Sequence, residues 1–252
     1  MCQLPRQSLS EDFVACWRAA GTHLKSISSR ASEDLVWLKA SLQLPMLEHF
    51  SFRLGNQLYF VRIEDVSGQL DAPGSLAGLL RIADGCQGHP CIMPMRRSGS
   101  DWLADATGWG LVHARRLDPV DPVALVSSER VPMTDWELHD FAVQTVAQQL
   151  EREGVVVADV QGAPDVDPSI WFRGELGPEW VVVRAVRYPE RTAQRPENLA
   201  AIAANCSRIA KRGHFASVGV GGAEEPYDGS RHNLWRGAGM YAAFDGLEQV
   251  DS

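Results

Sequence analysis

Phe172-Arg173-Gly174-Glu175-Leu176-Gly177-Pro178-Glu179-Trp180-Val181-Val182-Val183-Arg184 reads as two strands folded about a Gly-Pro turn. Aromatic and β-branched residues crowd both arms, and the glycine and proline punctuate between them. The residues beyond the hairpin are as informative as the hairpin itself: Arg208-Ile209-Ala210, then Gly213-His214, then Trp235 and Gly237-Ala238-Gly239. The first half of the chain carries the same order of features. Phe52-Arg53 precedes a Gly55-Asn56 turn and Tyr59-Phe60-Val61-Arg62; then come Arg81-Ile82-Ala83, Gly88-His89, Trp102 and Gly108-Trp109-Gly110. A unit repeated twice is too short for a solenoid and implies two similar lobes, a pseudo-dimer within one chain.

The remaining local signals give each lobe its elements. Ser10-Glu11-Asp12 opens a helix carrying Phe13, Cys16, Trp17 and Ala20, ended near Gly21. Ser32-Glu33-Asp34 caps a second helix with Leu35, Leu38 and Leu42, which Pro45 terminates. Strands are expected at 47–53, 57–66, 90–95 and 109–117, with a helix from Gly74-Ser75 to Gly85. Thr134-Asp135-Trp136-Glu137 is a capping box that starts a long helix with Leu138, Phe141, Ala142, Val146 and Leu150 on one face. Strands at 155–160, 169–173 and 179–186 come next, then a helix with Pro196 in its first turn and Gly213 at its stop, then strands at 214–220 and 240–247. The expected class is α+β: each lobe runs helix, strands, helix, β-hairpin, with mostly antiparallel sheets. Residues 1–30 form an N-terminal helical extension, 31–118 the first lobe, 119–133 a proline-containing linker (Pro119, Pro122, Pro132), and 134–252 the second lobe.

Composition narrows the function classes. With 252 residues, 45% hydrophobic and 22% charged, the chain is expected to fold without disorder or coiled coil, and no apolar run reaches membrane-spanning length. The N-terminus lacks the basic and apolar regions of a secretory signal, and five cysteines (Cys2, Cys16, Cys86, Cys91, Cys206) make no paired framework, so a reducing cytosol is expected. A net charge of −8 disfavours broad contact with a phosphate backbone.

Chemistry-bearing motifs are sparse. Gly219-Val220-Gly221-Gly222 is followed by Glu224-Glu225-Pro226 in place of a helix, so it lacks what a phosphate loop needs. Cys86, His89 and Cys91 are the nearest approach to a metal cluster, although a structural zinc takes four such ligands. No cofactor is expected. Eight tryptophans are a high count; Trp136 and Trp180 read as core, whereas Trp109 and Trp235, beside glycines near sheet edges, are candidates for a binding groove. Arg184, Arg187, Arg191 and Arg195, with Arg208, Lys211 and Arg212, are the basic concentration of an acidic chain and a candidate anion or nucleic-acid patch.

Two resemblances rest on this element order. The helix at 134–152, Asp165 and Asp167 at a bend, the strand carrying Arg184, then helix and strand, resemble the PD-(D/E)XK nuclease superfamily over about residues 134–220. That family holds a divalent metal through an aspartate and a second acid two residues before a lysine. Asp167 would be the aspartate, Arg184 takes the lysine position, and Val182 stands where the second acid belongs; Arg62 and Phe60 are the expected counterparts in the first half. The resemblance therefore implies a core inactive as a nuclease, and the bare residues read Asp167 as a turn entry before a strand. Helix, three strands, helix, two strands is also similar to the type III secretion chaperone-like fold, acidic proteins that hold a partner segment, though the closing helix of that group is missing here. The expectation is a cytosolic, bacterial, non-catalytic accessory protein that binds another protein and no membrane; the alternative is a nucleic-acid-binding or processing protein on a degenerate nuclease core.

Overall fold

A computed structural model of the chain describes residues 9–29, 34–40 and 49–250. They divide into two compact units, Met1–Arg130 and Val131–Ser252. The protein is α+β, and among the described residues each unit holds a six-stranded mixed sheet.

The first unit opens with α1 (Glu11–Ser28), whose N-cap Ser10 accepts a hydrogen bond from the Phe13 amide. Its buried stripe, Phe13, Cys16, Trp17, Ala20 and Leu24, packs into the core of the sheet, and Trp17 stacks on Phe50 with ring centroids 3.8 Å apart. The helix runs past Gly21 to Ser28. A helical glycine costs only about 1 kcal/mol, and burying Leu24 one turn later outweighs it. The leucines read as a second helix instead form β1 (Leu35–Lys39), antiparallel to β2 (Phe50–Leu54). Leu35 and Trp37 turn inward with period two, and Trp37 lies 5.5 Å from Phe50 and 5.9 Å from Phe52 between ring centroids. Cross-strand aromatic packing overrides a leucine spacing that looks helical from outside. The remainder of that reading, at Ser32, Glu33, Leu42 and Pro45, lies outside the described residues.

β2 turns at Gly55-Asn56 into β3 (Gln57–Asp65), α2 (Leu76–Gly85) crosses over, and β4 (His89–Ser98) pairs with β3 in parallel. β5 (Asp101–Ala104) and β6 (Val112–His113) both lie antiparallel to β4, in place of the single strand read at 109–117. The proline-rich segment is packed onto this unit. Val120 is buried, the short helix α3 (Pro122–Leu125) accepts the Tyr59 hydroxyl at Pro122, and the Asn56 side chain donates to Ser127 Oγ and to the Glu129 carbonyl. Gly55, at φ 55°, leaves room for Val126 that a Cβ would fill.

The second unit has the same order. Helix α4 (Asp135–Arg152) begins at the expected capping box, with Thr134 Oγ1 accepting from the Glu137 amide and the Glu137 carboxylate accepting from the Thr134 amide. β7 (Val156–Val160), β8 (Ile170–Gly174) and β9 (Gly177–Arg187) form an antiparallel meander; α5 (Leu199–Cys206) crosses over to β10 (Arg212–Gly222), which runs parallel to β9. β11 (Met240–Phe244) and β12 (Glu248–Val250) pair with successive halves of β10, antiparallel. Each sheet thus has one parallel pair at its centre, where a helical crossover joins the strands, and antiparallel pairing elsewhere. Strand β9 is buried on both faces: Val181 and Val183 join the core beneath α4, while Trp180 and Val182 join the core that holds Ile202 of α5.

Gly213 does not stop α5. The helix ends at Cys206, and Gly213 lies within β10, opposite Trp180 of β9. Pro196 likewise precedes the helix, its carbonyl accepting from the Leu199 amide. The hairpin read as folding about Gly177-Pro178 turns instead at Glu175-Leu176, with Gly177 and Pro178 the first residues of β9; the two-residue turns fix the correspondence between units, because Leu54 pairs with Gln57 and Gly174 with Gly177. By that register Arg62 and Glu64 stand where Val182 and Arg184 do, two residues from the alignment that matched Arg62 with Arg184.

Candidate functional site

The Asp167-Pro168-Ser169 turn leads into β8 and is sewn to β9 by Ser169, fully buried, whose hydroxyl accepts from the Val183 amide and whose amide donates to the Val181 carbonyl. This places the Asp167 carboxylate beside Arg184. Both oxygens are engaged: Arg184 Nη1 donates to Oδ1 at 2.9 Å and Nη2 to Oδ2 at 2.6 Å, while Nη1 also donates to the Val183 carbonyl. The side chains are 11% and 23% exposed, so the bidentate pair is held largely away from water. Val182, two residues before Arg184, is fully buried among apolar side chains.

These residues do not fit a divalent cation. A catalytic metal needs several oxygen donors with free lone pairs, and here a fixed guanidinium engages both oxygens of Asp167 while Val182 offers none. The site is an ion pair in the place where the nuclease resemblance would put a metal.

A cleft of about 520 Å³ opens beside it, lined by Asp135 and His139 of α4, Pro164, Arg184 and Arg187 of β9, and Arg231 among others. Arg187 is only 15% exposed; it bonds the Asp135 carboxylate and donates to the Met133 carbonyl at 3.0 Å. His139 is 5% exposed, and its Nε2 meets no hydrogen-bond partner among the described residues. Burial pushes its pKa below the ordinary histidine value, and the Arg184 charge adds to that, so the ring stays neutral at neutral pH. Nearby, Arg236, 3% exposed, donates through Nε and Nη2 to Glu137, tying the strand-connecting loop to the start of α4. The dominant chemistry of this region is mutual neutralisation of charge.

The other candidate residues are placed apart. The basic concentration splits along the parallel strands: Arg212 pairs in register with Glu179, and Arg184 lies five residues further along β9, roughly 17 Å away at strand rise. Arg212 approaches Glu179 at 3.8 Å, and Arg195 bonds Glu248 and lies over the Phe215 ring. Cys91 is fully buried on β4, with its thiol pushed up to about 12 by burial, and Cys86 is buried at the C-terminus of α2. His89 bonds Gln57 through Nε2 at 3.0 Å and stacks on Tyr59. Among the described residues no three metal-type donors converge. Trp109 is 7% exposed and belongs to the first core. Trp235 is half-buried and donates its Nε1 proton to Glu225.

His139 and Asp135 were not singled out by sequence. Helical spacing carried their signal, since Asp135 and His139 are four apart and His139 stands four before Val143, on the buried stripe of α4.

The family model described as a domain of unknown function (DUF8840) matches residues 136–250, from the first turn of α4 to β12. No curated protein and no solved structure matches the chain. The likeness to a known family is thus to the second unit, the one that carries the Asp167–Arg184 pair.

Proposed function

We propose that this is a non-catalytic accessory protein that binds another protein, with its second unit built on a PD-(D/E)XK-like core whose metal position is silent. The observation that carries the reading is the Asp167–Arg184 pair: both carboxylate oxygens are committed, and buried Val182 replaces the second acid. The order α4–β7–β8–β9–α5–β10, with an antiparallel meander and β9 parallel to β10, supports the core assignment. The shared strand order of the two units supports an internal duplication, in which the first unit carries Arg62 and Glu64 at the corresponding strand positions, bonded to each other. The closing strand pair in each unit is the feature shared with the chaperone-like resemblance.

A protein partner is favoured over nucleic acid by charge. Residues 131–252 hold eleven Lys and Arg against eighteen Asp and Glu, and the arginines of the cleft are largely paired with carboxylates. A nucleic-acid groove needs unpaired cations, because affinity comes from displacing counterions from phosphates. No helix among the described residues is long and apolar enough to cross a membrane, and the place of action proposed is the bacterial cytosol.

The test incubates purified protein with DNA and RNA in Mg²⁺ or Mn²⁺ and measures nucleic-acid retention at physiological salt. No cleavage and no retention are expected, and a pull-down from the native host should keep its protein partner after nuclease treatment. Metal-dependent cleavage lost in Asp167→Asn, or retention of nucleic acid lost in Arg184→Glu, would replace this reading with the nucleic-acid one.

A further inference from the structure

Three of the four tyrosines of the chain meet at one end of the second sheet. Tyr188 and Tyr227 are edge to face with centroids 5.0 Å apart, and Tyr227 and Tyr241 lie 6.4 Å apart. Tyr227 is 54% exposed and Tyr241 61%, so the cluster forms a surface. It is held in shape from below. The Tyr188 hydroxyl accepts from the Gly229 amide at 2.9 Å, and the Tyr227 hydroxyl donates to the Gly222 carbonyl at 3.3 Å. The Gly219-Val220-Gly221-Gly222 run, which makes no phosphate loop, explains how: a Cβ on Gly221 would stand 3.1 Å from the Tyr227 hydroxyl, so glycine lets the ring lie close against the backbone.

The same loop supplies negative charge. Glu224, Glu225 and Asp228 flank the tyrosines in sequence, and between Arg212 and Arg236 the only Lys or Arg is Arg231. Asp228 accepts from the Ser230 amide at 2.8 Å and from His232 at 3.2 Å, and these bonds hold its carboxyl below the ordinary range. Glu225 is braced by the Trp235 indole at 3.1 Å.

Beside this surface runs β11, the last strand of its sheet. Its register with β10 is regular over five pairs, its burial alternation is lost in a run of exposed Tyr241, Ala242 and Ala243, and it contains no lysine or proline. Proteins usually blunt such edges. Here the opposite edge strand β7 is interrupted by a register shift between Val157 and Asp159, and in the first unit β1 is shifted between Trp37 and Lys39. The β11 edge, like that of β5 in the first unit, pairs without such a shift, and it is the one beside the tyrosine surface.

We propose that this edge docks a basic, extended segment of a partner protein, which adds as a strand beside β11 and lays its lysine or arginine side chains across the tyrosines and carboxylates. Strand addition supplies backbone hydrogen bonds, and alternate side chains supply specificity. A cation beside exposed tyrosine faces and carboxylates gains from both ring quadrupole and charge. The acidic balance of residues 131–252 sets the sign of the partner.

The inference rests on the reading that the partner is a protein, which the nuclease and nucleic-acid assays decide separately. Its own test uses a fluorescein-labelled ten-residue peptide of alternating lysine and threonine, measured by anisotropy with the full chain at 50 and 300 mM NaCl. Comparison peptides carry glutamate for lysine, or N-methyl groups on alternate residues that block one backbone edge. The expected result is binding of the lysine peptide alone, weakened by salt, abolished by N-methylation in the edge-facing register, and about fivefold weaker in Tyr241→Ala. Asp228→Asn should also weaken it and flatten its salt dependence. Thermal melts of the variants confirm folding, and Tyr241 is exposed enough for its replacement to be tolerated. The proposal fails if the lysine peptide does not bind, if the glutamate peptide binds equally, or if N-methylation and Tyr241→Ala leave binding unchanged, which would mark attraction to net charge alone.

Discussion

Replacing Gly213 with alanine tests the parallel strand pair on which the second unit is built. Gly213 lies opposite Trp180 in the β9–β10 register, and an added Cβ would come within 3.0 Å of three atoms of the Trp180 indole. That ring is 1% exposed and fixed by a hydrogen bond from Nε1 to the Ala210 carbonyl at 3.2 Å, so it has little room to yield. Overpacking of a filled core costs about 1–3 kcal/mol, with the upper end expected where a rigid ring meets backbone. At about 2–4 °C per kcal/mol for a chain of this size, a cost of about 3 kcal/mol should lower the melting temperature by roughly 6–12 °C. Calorimetry and urea unfolding of Gly213→Ala, Trp180→Leu and the double variant measure it. Trp180→Leu alone leaves a cavity, but alanine at 213 should then cost less than in the wild type, a coupling of about 1 kcal/mol or more. A neutral or stabilising Gly213→Ala, as expected of glycine in open space, or purely additive variants, would refute the register that sets Gly213 against Trp180.

A double-mutant cycle on Asp167→Ala and Arg184→Met should give a coupling of about 1–3 kcal/mol, against less than about 1 kcal/mol for the exposed Asp12–Arg97 pair; equal values would mean that the bidentate pair is solvated. His139 has a folded pKa below the ordinary value of 6.5, so its contribution to stability is complete above 6.5 and is lost as pH falls below it, because the unfolded chain takes up the proton first. Between pH 7.5 and 5.5 this loss amounts to at most about 1.4 kcal/mol, and His139→Leu should remove it from the urea-unfolding profile; an unchanged profile would mean that the ring titrates freely. Cys16 and Cys91, buried and pushed up to about 12, should resist iodoacetamide at pH 8 until urea is added, and mass spectrometry finding them alkylated in the native protein would show that their cores open.

The features legible in the sequence are those set by neighbours along the chain. Thr134 and Glu137 form the capping box because both groups lie within one helical turn, and Gly55-Asn56 turns the first hairpin because its backbone demands are local. Asp167 and Arg184 were legible as candidates from their element order, but whether they would hold a metal or each other was not. Their pairing depends on Ser169 fastening the turn to β9, seventeen residues along the chain from Asp167 to Arg184.

The sequence by itself determined the α+β class, the cap that starts α4, and the lack of a second acid before Arg184, since each is set by residue identity and spacing. Only the tertiary structure decided that β1 is a strand, that β9 and β10 run parallel with Trp180 over Gly213, that Arg184 and Arg187 are paired with carboxylates, and that three tyrosines converge beside β11. These depend on which distant segments share a face. Periodicity says that a face is apolar, but the partner that covers it is set by the packing of the whole unit.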